Sequence, residues 1–184
     1  MKTRLVALTM AFLFLAGCEV KLGPSKFWQK IFKPETDSEY YRDKSEDLMD
    51  LIAHDVEEYE INKVVVLDLV DDQGRVPVLG EYMANRVVEA ITRRRYFRVA
   101  QKGEVMNTLG QLDLKPSFRY TQDEVRKIGN ALNAQAIVNG TVRDIGTNID
   151  VHLAMVDIAS GEVISSATER LNRTKFAVEL LQHF

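Results

Sequence analysis

Two periodicities run along this chain, and the places where one gives way to the other mark its elements. Tyr41, Leu48, Met49, Ile52, Val56 and Tyr59 recur at helical spacing, predicting an amphipathic helix from about Asp37 to Tyr59 whose other face is strongly acidic. Thr36 and Glu39 stand at capping-box spacing and mark its start. Val64-Val65-Val66-Leu67-Asp68-Leu69-Val70 is a nearly unbroken apolar run, the pattern of a strand buried on both faces of a sheet. Asp71-Asp72-Gln73-Gly74 supplies turn chemistry after it. Leu79, Met83, Ala84, Val87, Val88 and Ile91 fall on one helical stripe closed by Arg93-Arg94-Arg95, and Tyr96 to Ala100 reads as a second strand. Two helices follow, one from about Gly103 to Leu112, the other opened by a second capping-box pair, Thr121 and Glu124. In the latter, Val125, Ile128 and Leu132 share a face, and Gly129 leaves room for a close neighbour.

The remaining chain switches to period two. Ala136 to Ile145 and Ile149 to Ile158 are predicted strands joined at Gly146-Thr147-Asn148, and Ser160-Gly161 turns the chain into a third, Glu162 to Leu171. Ile149, Val151, Leu153 and Met155 alternate with Asp150, His152 and Ala154, as a half-buried strand requires. Lys175 to Phe184 places Phe176, Ala177, Leu180, Leu181 and Phe184 on one face of a short helix, free to pack on the sheet or on a partner. The predicted order is α-β-α-β-α-α-β-β-β-α. Strand–helix–strand units run parallel and tight turns antiparallel, so the fold class is α/β (α+β), a mixed sheet of about five strands packed with helices.

The amino end changes the picture. Lys2 and Arg4 precede an apolar run from Leu5 to Phe14, and Leu15-Ala16-Gly17 leads to Cys18, the one cysteine of the chain. A positive start, a short apolar middle and small residues before a cut make a secretory signal peptide. The run is too short for a permanent spanning helix, which needs ~20 apolar residues. Leu-Ala-Gly-Cys resembles the bacterial lipobox. That resemblance implies cleavage before Cys18, lipidation of its thiol and acylation of the new amine; Glu19 in place of Asp then favours the outer membrane. Each buried acyl methylene contributes ~0.8 kcal/mol to membrane binding, and several chains together make release negligible. The alternatives are a plain secreted protein with a stray thiol or an uncleaved anchor.

Between Cys18 and Thr36 the chain reads as a tether, interrupted by Gly23-Pro24-Ser25 and Pro34. Phe27, Trp28, Ile31 and Phe32 interleave with lysines, which suits the lipid headgroup zone, although the same aromatics could pack on the domain itself. The expected organisation is thus a signal peptide over 1–17, a tether with an interfacial aromatic segment over 18–36, an acidic helix over 37–60 and an α/β domain over 61–184.

Composition removes several function classes. Once Cys18 is lipidated no thiol is left for a disulfide or a thiolate metal site. A net charge of −3 and the lack of a basic stripe predict no nucleic-acid partner. Gly-rich phosphate loops are absent, and His54, His152 and His183 stand far apart, so neither cofactor, metal nor small-molecule substrate is expected. Ser165, Ser166 and Thr168 have no identifiable base, and no catalytic constellation can be assembled, so the chain is not expected to be an enzyme. Arg93, Arg94 and Arg95 form the one local charge concentration; they serve either to compensate a helix end or to contact an anionic partner. Phe176, Leu180 and Leu181 are further candidate partner-binding residues.

A family resemblance rests on these same segments. Leu79-Gly80-Glu81 opening a helix, then Arg95-Tyr96-Phe97-Arg98-Val99, then Ile128-Gly129-Asn130-Ala131-Leu132-Asn133-Ala134-Gln135-Ala136-Ile137-Val138-Asn139-Gly140-Thr141-Val142, and finally Val156-Asp157-Ile158-Ala159-Ser160-Gly161-Glu162-Val163 resemble a domain shared by three groups of outer-membrane lipoproteins. They are the CsgG-like curli secretion channels, the LpoB-like penicillin-binding-protein activators and the FlgO-type flagellar proteins. The resemblance spans about Lys63 to Leu171 and specifies fold better than function. It implies a periplasmic domain that binds an envelope protein or itself. The channel group adds membrane strands of ~9–11 alternating residues, whereas every strand predicted here belongs to the core, so no pore is expected. Size and the compact ending lie nearest the flagellar group, and the activator group carries a longer, proline-rich tether.

Overall fold

The computed structural model describes residues 36–184, which form one unit; Cys18, Phe27, Trp28, Ile31 and Phe32 lie outside the described residues. The elements follow the predicted order: α1 (Asp37–Asp55), β1 (Lys63–Val66), α2 (Val78–Arg94), β2 (Arg98–Val99), α3 (Lys102–Gln111), α4 (Gln122–Leu132), β3 (Ala136–Asp144), β4 (Asn148–Asp157), β5 (Val163–Asn172) and α5 (Lys175–Gln182). Both capping boxes form: Thr36 accepts from the Glu39 amide and Thr121 from that of Glu124, with each glutamate bonded back to the cap residue. The five strands make one sheet in the order β2-β1-β3-β4-β5, parallel around β1 and antiparallel from β3 onward.

This topology explains why helices cover both faces. The step from β1 to β2 runs one way across the sheet and the step from β2 to β3 runs back past β1. Crossovers of the same right hand in opposite directions must use opposite faces. On the first face, α1, α2 and α5 bury Tyr41, Leu48, Met49, Ile52, Leu79, Met83, Val87, Ile91 and Ala177 against Val138, Val142, Val151, Leu153 and Leu171. On the second, Val105, Leu109, Val125, Ile128 and Leu132 of α3 and α4 close over Val65, Leu67, Ile137, Val156 and Ile158. Gly129 is the contact point there, since an added Cβ would collide with the Ile158 side chain.

Three elements are shorter than the sequence predicts. The first strand keeps its ladder only to Val66: the Leu69 amide turns away to the Gly80 carbonyl, and Val70 rejoins β3 as a single bridge to Thr141. The second strand shrinks to Arg98–Val99 because Arg95 and Tyr96 both donate to the Ile91 carbonyl to end α2. Arg95 does so with a φ of 59°, in the left-handed region usually given to glycine. The first helix ends at Asp55 rather than near Tyr59.

Candidate interaction surfaces

The acidic face of α1 and the arginine run of α2, separate features in the sequence, meet in the fold. Glu46 accepts from Arg93 and, at 3.1 Å, from Arg94. Arg93 also reaches Glu89 at 2.8 Å, and Arg94 lies 3.3 Å from Asp50. Tyr96 donates to Asp50 at 2.6 Å, and burial together with that carboxylate pushes its phenol pKa up. Two of the three arginines therefore serve as a seam between helices. Arg95 and Arg98 differ: both are exposed, and neither side chain has an ion-pair or hydrogen-bond partner among the described residues.

These two arginines stand at a groove of about 790 Å³ between α2 and the β1–β2 end of the sheet. Its walls are Asn85, Val88 and Thr92 of α2, Tyr96 to Ala100, and Val66 and Asp68 from the β1 segment. Lys102 closes one end, bonded to Glu81 at 2.7 Å and to Asp68 at 3.0 Å. Burial opposes the charge on this amine, but the two carboxylates outweigh it and raise its pKa.

A second hollow, about 520 Å³, lies on the uncovered part of the second face. There α3 and α4 stop, and two rows of cross-strand neighbours are open, Thr141–His152–Thr168 and Arg143–Asp150–Arg170, next to the row Asn139–Ala154–Ser166, in which Asn139 and Ala154 are buried. Phe118 stands edge-on to His152 at 5.3 Å, and His152 Nδ1 pairs with the Thr168 hydroxyl at 2.9 Å. Burial, helped by Arg143, lowers the His152 pKa below its usual 6.5, so the ring is neutral at pH 7. Asn139 donates to the carbonyls of Ser117 and Phe118, while its buried Oδ1 has no partner among the described residues.

The predicted patch on the last helix is split. Leu180 and Leu181 pack on the first-face core, whereas Phe176 is 42% exposed beside Tyr41. Among the described residues no group of histidine, cysteine and acidic side chains has metal-binding geometry, and no helix is long and apolar enough to cross a membrane. Sequence reasoning found the arginines but not the groove, whose one legible sign was the abrupt change from Arg93-Arg94-Arg95 to an aromatic pair.

Fold and surfaces together define an α+β domain with an open-edged five-stranded sheet and two recessed surfaces. The chain belongs to the FlgO protein family, whose sequence model matches residues 46–176. Its fold is that of the LpoB C-terminal domain. The domain from Salmonella enterica superposes with a TM-score of 0.57 at 12% identity, over 72% of this chain and 98% of that one. The domain from Escherichia coli gives 0.54 at 12% identity, over 70% and 98%. The NMR structure of Escherichia coli LpoB gives 0.55 at 11% identity, over 71% and 68%. No curated protein matches the chain by sequence.

Proposed function

We propose that this protein is anchored in the outer membrane through lipid on Cys18, faces the periplasm, and works by binding proteins rather than by catalysis. Its task in this reading is to assemble or steady a cell-envelope structure, with the flagellum as the favoured machine. The observation that carries the reading is the FlgO-family match over residues 46–176, joined to the lipobox-like Leu15-Ala16-Gly17-Cys18. The test is a Cys18→Ser variant in its own cells. Membrane fractionation and labelled palmitate incorporation should both be lost, and swimming motility should fall as it does on gene deletion. A variant that stays in the membrane fraction and still takes up palmitate would sink the anchor.

A second reading, activation of a peptidoglycan synthase, is supported by the likeness to the LpoB C-terminal domain over 98% of its length. Reach weighs against it. The stretch from Cys18 to Glu35 extends about 60 Å at the very most, which favours a partner near the anchoring membrane. Normal motility with altered wall synthesis in the deletion strain would reverse this ranking.

A further inference from the structure

The sheet has two edges, and the one at β2 carries a recess beside it. Arg98 and Ala100 donate to the carbonyls of Asn62 and Val64, which fixes the inward side of this segment. Backbone groups alternate sides along a strand, so the N–H and C=O of Val99 point away from β1, where the sheet order places no further strand. The groove opens beside this edge on the first face, between α2 and the β1–β2 strands. Its α2 wall offers Val88 between Asn85 and Thr92, and its rim carries the unpaired guanidinium groups of Arg95 and Arg98. An edge strand next to a helix, with a shallow apolar recess between them, is the arrangement by which extended peptides add to a sheet: main-chain bonds supply affinity and alternate side chains supply selectivity.

We propose that this groove takes an extended, acidic segment of a partner protein as an additional strand on β2, with Arg95 and Arg98 meeting its carboxylates. The inference rests on the protein-binding reading above and names the surface and the chemistry of the partner. Charge decides the occupant. The protein's own tether carries Lys21, Lys26, Lys30 and Lys33 against Glu19 and Glu35, so the two arginines repel it. In a second copy, Glu46 and Asp50 are consumed in the α1–α2 seam, and the exposed Glu57 and Glu58 sit in a turn rather than in an extended segment. The contrast within one run is informative: Arg93 and Arg94 are neutralised by the fold, whereas Arg95 and Arg98 hold charge that nothing in the described residues uses.

The test uses the full-length protein, purified with its anchor in detergent, and fluorescein-labelled peptides of about ten residues. One alternates Val with Glu, a second alternates Val with Lys, and a third is the Glu peptide N-methylated at alternate residues to remove its strand bonds. Fluorescence anisotropy should show the Glu peptide binding about tenfold tighter than either of the others, and a double variant, Arg95→Glu with Arg98→Glu, should reverse the Glu-over-Lys preference. Equal binding of the Glu and Lys peptides, or undiminished binding of the N-methylated one, overturns the proposal. The N-methyl comparison uses the unaltered protein, so it decides even if the double variant folds poorly. Photocrosslinkers placed at Asn85 on the α2 wall of the groove and, separately, at Phe176 in cells separate this claim from the broader one. Capture of an acidic segment from Asn85, mapped by mass spectrometry, supports the groove. Capture from Phe176 alone, or of a second copy from Asn85, overturns the groove and leaves protein binding standing. Capture from neither site counts against both.

Discussion

The two faces of the sheet are finished to different degrees. On the first, α1, α2 and α5 cover the sheet as far as the groove at its β2 end: Leu48, Met49, Ile52, Met83 and Val87 are wholly buried, and ion pairs stitch the helices above them. On the second, α3 and α4 cover only the half around Ile137 and Val156, and the rest is a polar ladder of Thr141, His152 and Thr168 with its neighbours. The same three strands serve both faces, so the difference comes from which side chains alternate outward and from where the helices run out. Apolar burial therefore concentrates stability on one side and leaves polar backbone-supported surface on the other, available for contact without cost to the core.

That contrast can be broken by substitution. The largest effect belongs to the closed face: Leu48→Ala should lower unfolding free energy by about 2–5 kcal/mol in urea titration, since a buried leucine leaves a cavity that packed neighbours fill only in part. A loss below about 1 kcal/mol would mean that the α1 contact is loose. Next, Glu46→Ala should cost about 1–2 kcal/mol by freeing Arg93 and Arg94 together, and the cost should shrink in high salt. A salt-independent loss would point to packing instead.

Asp71, in the turn beside the open face, comes third. Burial acts to raise its carboxyl pKa, but amide bonds from Arg75 and Gln73 and the Arg75 guanidinium outweigh it, leaving the pKa below the usual 3.8. A depressed folded value contributes stability that is present above the unfolded pKa and lost as pH falls through the folded one. Asp71→Asn should therefore cost about 1 kcal/mol at neutral pH, with the gap to wild type closing as pH drops below about 4. A gap constant with pH would exclude the charge as its origin. Smallest of all, Thr168→Val on the exposed ladder should stay within about 0.5 kcal/mol of wild type.

Much of this architecture is legible in the sequence because local signals agree with the fold. The Thr36/Glu39 and Thr121/Glu124 pairs mark helix starts by chemistry that does not depend on tertiary context. The alternation of Ile149, Val151, Leu153 and Met155 gives the buried face of β4 outright. What could not be read depends on partners distant in sequence. Nothing near Leu69 shows that its amide will prefer Gly80 to the ladder, so the first strand looked longer than it is. Nothing near Arg93 shows that Glu46 will claim it, 47 residues away, while Arg95 finds no partner among the described residues. The groove shares that fate, since it exists only once α2 lies against the edge of β2.

The attachment of α1 has a consequence for how the molecule comes into being. Lys44 binds Glu169, Asp55 accepts from the Ser165 hydroxyl, and Tyr40 receives the Asn172 amide, bonds that join positions 125, 110 and 132 residues apart. A polypeptide emerging in order brings out the first helix long before its seat exists. Met49 and Ile52 must then wait in water, or in the care of a chaperone, until the final hairpin closes. Truncation even a few residues before Asn172 should thus leave the earliest-made helix without a home, and cells should clear such a product rather than tolerate a shortened one.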